Sequence, residues 1–113
     1  MFPAMSEITG YHAHVYYDAE TKADARALRD EIDAKFDTRL GRWHDKPVGP
    51  HPVWMYQVAF EPDIFADFVP WLALNRRGLN ILLHPETGDD LADHSTHAMW
   101  LGRSIDLNLE HFD

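Results

Sequence analysis

The chain has 113 residues, of which 10 are Lys or Arg and 19 are Asp or Glu, so its formal net charge is −9. With 45% hydrophobic and 26% charged residues it has the composition of one globular domain, which excludes a disordered or low-complexity chain. The negative charge disfavours nucleic acids and anionic membranes as partners, and the absence of cysteine excludes disulfides and thiolate metal sites.

The cellular location is predicted from the first residues. Met1–Glu7 contains neither the basic segment nor the apolar run of a secretory signal, which predicts a cytoplasmic protein. Apolar stretches such as Ile81–Leu83 are far shorter than the roughly 20 residues that a membrane helix needs. Any metal must be bound through His, Asp or Glu, and eight histidines are the unusual feature of the composition.

The first half of the chain predicts a strand, a helix and a second strand. Tyr11–Tyr17 is rich in aromatic and β-branched residues, which is typical of a strand. Residues 21–36 repeat apolar side chains at intervals of three and four, which predicts an amphipathic helix. Residues 38–43 form a weaker strand pattern, in which Gly41 indicates a bulge or a close approach. Residues 45–52 contain three prolines and predict an irregular loop.

The second half repeats this order. Residues 53–60 predict a strand, and residues 61–77 predict a helix that contains a proline. Residues 79–84 predict a fourth strand, which Pro85 closes. Residues 98–101 predict a fifth strand, and the residues after it show no clear pattern.

A βαββαβ order within a single domain, residues 1–113, predicts an α+β fold of the ferredoxin-like type. Both helices then cover one face of an antiparallel sheet with strand order four-one-three-two. Aromatic residues such as Trp54 and Trp100 imply that the other face is also covered, which predicts a homodimer.

Several histidines are predicted to lie on the face away from the helices. Side chains alternate along a strand, so His12 and His14 share that face, and His84 in the fourth strand shares it too. Antiparallel pairing brings these three imidazoles together at one end of the sheet. His94 and His97 follow the next loop and can return to the same end. Converging imidazoles suit Zn, Fe, Ni or Cu, although a His-x-His pair alone is more typical of half-exposed strand residues.

The remaining polar candidates are placed less directly. His51 lies between two prolines at the start of the third strand, and it reaches the other histidines only through a partner subunit or a curled loop. Glu86 and Asp93 are the nearest candidates for a carboxylate ligand. His44 and His111 are predicted to be surface residues.

Six sequence motifs carry a resemblance that spans about Ile8 to Gly102. The chain resembles the DOPA 4,5-dioxygenase family in the order and spacing of YHAHVYY (residues 11–17), ALRDEI (27–32), GPHP (49–52), PWLALNR (70–76), LHPETG (83–88) and DHS (93–95) with WLG (100–102).

The resemblance implies a small homodimeric ferredoxin-like enzyme that opens a catechol ring with O₂ by extradiol cleavage. It implies His14, His84 and His94 as metal ligands, with Fe(II) as the physiological metal. Zinc is also expected in purified protein, because Zn²⁺ binds most such sites more tightly than Fe²⁺. His12 and His51 are expected to move protons near neutral pH. Arg76 is the candidate cation for the carboxylate of L-DOPA.

Three other functions remain open from the sequence. The first is a catechol dioxygenase with another natural substrate. The second is a non-catalytic dimer that binds a metal or a small ligand, and the third is a structural dimerisation module. The last of these leaves the histidine face unexplained.

Overall fold

A five-stranded antiparallel sheet forms the centre of the structure, a computed structural model that describes residues 7–113. The cytoplasmic location is predicted from Met1–Glu7, and most of that segment, Met1–Ser6, lies outside the described residues. The strands and helices, in chain order, are β1 (Gly10–Tyr16), α1 (Lys22–Lys35), β2 (Arg39–Leu40), β3 (Met55–Phe60), α2 (Phe65–Asn75), β4 (Ile81–Glu86), α3 (Asp90–Asp93) and β5 (Met99–Leu101). The sheet order is β2-β3-β1-β4-β5, which is the predicted order with β5 added beside β4.

Both long helices pack on the same face of the sheet. Val15 of β1 is buried there with Leu28 and Ile32 of α1 and with Phe68 and Leu72 of α2. These residues lie on the apolar stripe of each helix, and full burial of one such side chain contributes about 1.5–3 kcal/mol. Because side chains alternate along β1, the neighbours of Val15 point to the opposite face.

The opposite face is covered by the chain itself. Tyr16, Met55 and Leu82 form a second buried cluster on this face. Ile105 and Leu107, from the residues after β5, pack against that cluster. The prediction that this face is covered is therefore confirmed, but the cover comes from within one chain and gives no argument for a dimer.

The fourth strand lies two residues later than the sequence predicts. The N–H of Leu79 donates to the carbonyl of Arg76 at 3.0 Å, so Leu79 belongs to the turn after α2. At the other end, β4 continues through Pro85 to Glu86. Proline is tolerated there because β5 pairs only with Ile81–Leu83, which leaves the outer edge of β4 unpaired at Pro85 in the described sheet.

Two further boundaries differ from the predictions. The second strand is reduced to Arg39–Leu40, although Gly41 shows the predicted close approach: a Cβ added there would lie 3.4 Å from the Cβ of Gln57. The second helix ends at Asn75 because Arg77 has a φ of 56°, which no α-helix accommodates.

The three helices are short. Within residues 7–113 the longest is α1, with 14 residues, and none combines the length and apolar character that crossing a membrane requires.

Candidate metal centre

Five histidines meet on the sheet face opposite the two long helices. Their neighbouring ring centroids lie between 4.1 and 6.1 Å apart. Two come from β1, one from β4, one from the loop before β3 and one from the end of α3: His12, His14, His84, His51 and His94. We refer to these five residues as the histidine cluster.

The register of β1 and β4 accounts for three members of the histidine cluster. His12 lies directly opposite His84 in the antiparallel ladder, and His14 is two residues further along β1 on the same face. The Nε2 atoms of His14 and His84 approach to 3.0 Å. The predicted convergence of these three imidazoles is therefore observed.

His51 joins the histidine cluster through a curled loop. Its backbone and that of Val48 exchange two hydrogen bonds, of 3.1 and 2.9 Å, which fold the loop back on itself. The hydroxyl of Tyr16 lies 2.7 Å from Nδ1 of His51, and the ring of His51 lies 4.2 Å from that of His14. No partner subunit is needed to bring His51 to the site, so the curled-loop alternative is the one observed.

His94 is held by the segment that follows β4. Asp93, its neighbour, is fully buried and accepts hydrogen bonds from the N–H and the hydroxyl of Thr87, at 2.9 and 2.7 Å. The carboxylate of Asp93 also lies 2.9 Å from Nδ1 of His97. Asp93 therefore holds the loop that carries His94, and its oxygens are engaged away from the histidine cluster.

Glu86 contacts the outer side of two cluster histidines. One of its carboxylate oxygens lies 3.0 Å from Nδ1 of His12 and 3.5 Å from Nδ1 of His84. This position suits a carboxylate that orients an imidazole through its outer nitrogen. Among the described residues, the groups of converging ligand atoms contain histidines alone.

In His84 and His94 a backbone carbonyl determines which ring nitrogen carries the proton. Nδ1 of His84 lies 3.0 Å from the carbonyl of Pro85, and Nδ1 of His94 lies 2.8 Å from that of Asp90. A carbonyl only accepts, so each Nδ1 carries the proton and donates it, and each Nε2 is left with its lone pair. Histidines that bind metals have this arrangement, in which the outer nitrogen donates to a carbonyl or carboxylate.

The donor atoms fit a metal ion. Nitrogens bind Zn²⁺ at about 2.0–2.1 Å, so two ligands at right angles on one ion are roughly 3 Å apart, as are the Nε2 atoms of His14 and His84. Nδ1 of His14 is buried without a hydrogen-bond partner in the described part of the chain. Two sets of ligand atoms lie within 4.8 Å of one another: one is His12, His14 and His84, and the other is His14, His51 and His94.

Burial favours the neutral form of four cluster imidazoles, those of His12, His14, His51 and His84. It lowers the pKa of His14 well below its ordinary value, and the neighbouring histidines act in the same direction. Burial lowers the pKa of His51 to about 3 and that of His84 to about 4. The pKa of His12 is lowered by burial as well. At pH 7 these rings are in the unprotonated form that binds metals.

A cavity of about 260 Å³ opens beside the histidine cluster. Its walls include four of the five cluster histidines, together with Gln57, Glu86 and Phe112. A small aromatic molecule has room to enter it and to meet the imidazole nitrogens.

Comparison with known proteins identifies the family of the chain. The sequence profile described as the Dopa 4,5-dioxygenase family matches residues 11–111 of the chain. The chain belongs to the DOPA 4,5-dioxygenase family. The match extends past Gly102, where the sequence motifs end, so most of the last residues belong to the family pattern as well.

Individual relatives of the DOPA 4,5-dioxygenase family are similar over nearly the whole chain. The DOPA 4,5-dioxygenase of Amanita muscaria is 35% identical over 113 residues, which cover 92% of this chain and 50% of that protein. An uncharacterised 21.2 kDa protein of Botryotinia fuckeliana is 37% identical over 120 residues, which cover 95% of this chain and 66% of that protein. The chain thus spans between half and two thirds of the length of these curated relatives.

A solved structure is more similar still. The crystal structure of a "putative dioxygenase" from Nostoc punctiforme has a TM-score of 0.96 and 52% sequence identity, and the match covers 98% of this chain and 96% of that one. The histidine cluster therefore lies in a chain of the DOPA 4,5-dioxygenase family, and its histidines could hold a metal ion.

One predicted site residue lies elsewhere. A guanidinium nitrogen of Arg76 donates to the carbonyl of Leu79 at 2.8 Å, in the turn between α2 and β4. Arg76 is not among the described residues that line the cavity, because the turn lies where β4 begins and the cluster histidine of that strand is near its end. The prediction that Arg76 binds the substrate carboxylate has no support from this position.

The other sequence candidates fall outside the histidine cluster. His97 is paired with Asp93, and His44 is tied to Met55 through its backbone. His111 is exposed, as predicted. Conversely, sequence reasoning missed Tyr16 as the partner of His51, and it missed Phe112, whose ring lies 4.8 Å from that of His94.

Proposed function

We propose that the chain is an extradiol dioxygenase that opens the ring of L-DOPA or a related catechol with O₂. The observation that carries the proposal is the convergence of five buried or half-buried histidines, four of which line one cavity, in a chain of the DOPA 4,5-dioxygenase family. Extradiol cleavage breaks the carbon–carbon bond next to the diol, and both oxygen atoms of O₂ enter the ring-opened semialdehyde.

We propose His14, His84 and His94 as the metal ligands. The 3.0 Å approach of the Nε2 atoms of His14 and His84 supports this choice, as do the carbonyl hydrogen bonds that leave Nε2 of His84 and of His94 unprotonated. The three proposed ligands do not by themselves form one of the two groups of converging atoms: His14 belongs to both groups, His84 to one and His94 to the other. When bound, Fe(II) supplies open coordination positions for the two catechol oxygens and for O₂, and a redox-active centre.

His12 and His51 are the proposed proton carriers. Both line the cavity beside His14, so a catechol hydroxyl that enters meets their rings. Glu86 holds Nδ1 of His12, which aims the other nitrogen of that ring inward. Each ring is neutral at pH 7 and so has a lone pair that can accept a proton from the catechol. The pKa of about 3 makes His51 a weak base, further from the near-neutral value expected of it from the sequence.

Oxygen uptake tests the proposed reaction. With Fe(II) under reducing conditions, the protein is expected to consume one O₂ per L-DOPA and to form a yellow product, whereas tyrosine gives neither. Two adjacent hydroxyls are needed to chelate the metal, and tyrosine has one. If metal-loaded protein takes up no oxygen with any of a panel of catechols, the proposal is wrong and a non-catalytic binding protein is the better interpretation.

We also propose a ferredoxin-like homodimer. The strand order and the placement of both long helices on one face support the topology. Among the described residues four large apolar side chains are exposed, Leu74, Leu91, Met99 and Leu109, and a second copy would cover one or more of them. Sedimentation at micromolar concentration is expected to give a species of twice the chain mass, and a monomer alone would contradict the dimer.

A further inference from the structure

The residues after β5 return to the histidine cluster. In the segment 105–112, which we call the closing segment, Ile105 and Leu107 pack on the buried group that contains Tyr16 and Leu82. The segment then ends in a short 3-10 turn, Leu109–Phe112. Packing on the sheet therefore fixes where this turn lies.

The closing segment also contacts the loop that carries His51. The N–H of Asn108 donates to the carbonyl of Pro50 at 2.9 Å. His111 lies beside Gly49, since a Cβ added to that glycine would be 3.7 Å from Nε2 of His111. Gly49 has a φ of 56°, so the sharp turn before His51 depends on a backbone conformation that favours glycine. The closing segment and the His51 loop thus form one wall of the cavity.

Phe112 presents an aromatic ring to that cavity. Its centroid lies 4.8 Å from that of His94, with the two planes inclined by 38°. Among the described residues lining the cavity, Phe112 is the only Phe, Tyr or Trp. The remaining wall is made of imidazoles, of short apolar side chains and of polar groups such as Gln57 and Asp90.

We propose that Phe112 is a specificity-determining residue that packs against the aromatic ring of the substrate. The inference rests on the proposed function, because it assumes that the cavity holds a catechol whose oxygens face the histidine cluster. Phe112 and His94 are in direct contact, so a substrate ring in the cavity would lie beside this pair. Aromatic rings prefer offset-stacked or edge-to-face contacts at centroid distances of about 4.5–7 Å, and a ring in that position would make such a contact with Phe112. Phe112 supplies this contact without touching the reacting oxygens.

Binding of 4-nitrocatechol to the Zn²⁺-loaded protein isolates this contact from turnover. The Phe112→Ala variant is expected to bind the probe roughly tenfold more weakly, while Phe112→Tyr binds it nearly as well as the original chain. Leu109→Ala is the matched control, because Leu109 lies in the same 3-10 turn but outside the cavity. Zinc stoichiometry and far-ultraviolet circular dichroism are expected to be the same in all four proteins, which separates loss of the contact from misfolding.

Steady-state oxygen uptake by the Fe(II)-loaded proteins gives a second readout. Phe112→Ala is expected to raise KM for L-DOPA about tenfold and to change kcat little, since the ring binds substrate and moves no proton.

Equal affinity of Phe112→Ala and the original chain for 4-nitrocatechol would overturn the proposal, as would an equal loss of affinity in Leu109→Ala. If the original chain binds no 4-nitrocatechol, the proposal is also wrong. If it binds the probe but consumes no oxygen, the proposed reaction fails while the binding comparison still decides the role of Phe112.

Discussion

The His84→Ala variant is expected to lose its stoichiometric metal, whereas His44→Ala is expected to keep it. The Nε2 atom of His84 is 3.0 Å from that of His14, and its Nδ1 lies at the carbonyl of Pro85, so Nε2 is the nitrogen that His84 presents to a metal beside His14. His44 is a fair control, because it is tied to Met55 through backbone hydrogen bonds and lies outside both groups of converging atoms. Metal content after dialysis against Fe(II) or Zn(II), measured by mass spectrometry, gives the answer.

Folding must be checked alongside metal content, because His84 is fully buried. His84→Gln removes the imidazole but fills more of the space than alanine does, so it is expected to fold more readily and still to lose the metal. A full complement of metal in either His84 variant would contradict the proposed ligand set. His14→Ala is expected to behave in the same way, since His14 belongs to both groups of converging atoms.

The His51→Ala variant is expected to retain its metal but to turn over L-DOPA at least about 10²-fold more slowly, which is the usual scale for loss of a positioned proton carrier. The ring of His51 lies 4.2 Å from that of His14 and lines the cavity. His12→Ala is expected to show a loss of the same order, because His12 lines the same cavity and is held by Glu86. Oxygen uptake at saturating substrate measures both effects.

The metal content of the His51→Ala and His12→Ala samples shows whether these two histidines carry protons or bind the metal. Because each also belongs to a group of converging ligand atoms, loss of metal in His51→Ala would move His51 into the ligand set and contradict its assignment as a proton carrier. Tyr16→Phe refines the comparison: it removes the hydroxyl that lies 2.7 Å from Nδ1 of His51 and leaves the ring in place. A smaller loss of turnover is expected there, since His51 remains present but is less firmly oriented.

The sheet half of the site could be predicted from the sequence because strands have a period of two. Once His12 and His14 are assigned to one face of β1, and His84 to the same face of β4, antiparallel pairing leaves little choice about where they meet. The observed register places His12 directly opposite His84. The apolar residues between them fix that register, because a shift by one residue would turn the histidines into the core.

The loop half could not be predicted in the same way. His51 reaches the histidine cluster because its loop turns back through the Val48–His51 pair and because Asn108 holds the neighbouring Pro50. The contact of Asn108 with Pro50 joins segments far apart in the chain, and no local pattern encodes it. The position of Arg76 was missed for a related reason: the prediction extended α2 to Arg77, whereas the helix ends at Asn75 and the Arg76 guanidinium turns back to Leu79.

The closing segment did carry a signal that sequence reasoning passed over. Ile105, Leu107 and Leu109 alternate with polar residues, which is the pattern of an extended segment with one buried side. Two of the three do pack on the sheet. The pattern indicates burial, but the position of Phe112 beside His94 depends on the 3-10 turn that follows and on the path of the loop opposite.

Some cluster histidines lie on paired strands and others on segments outside the sheet, and this difference affects how related proteins diverge. His12, His14 and His84 are fixed by a ladder of hydrogen bonds between neighbouring strands, whereas His51 and His94 are carried by segments outside the sheet. Loops accept substitutions and insertions more readily than paired strands do. Evolution can therefore reshape the walls around the substrate in the loops while the strand histidines and His94 stay unchanged, so that related chains acquire new substrates without building a new metal site.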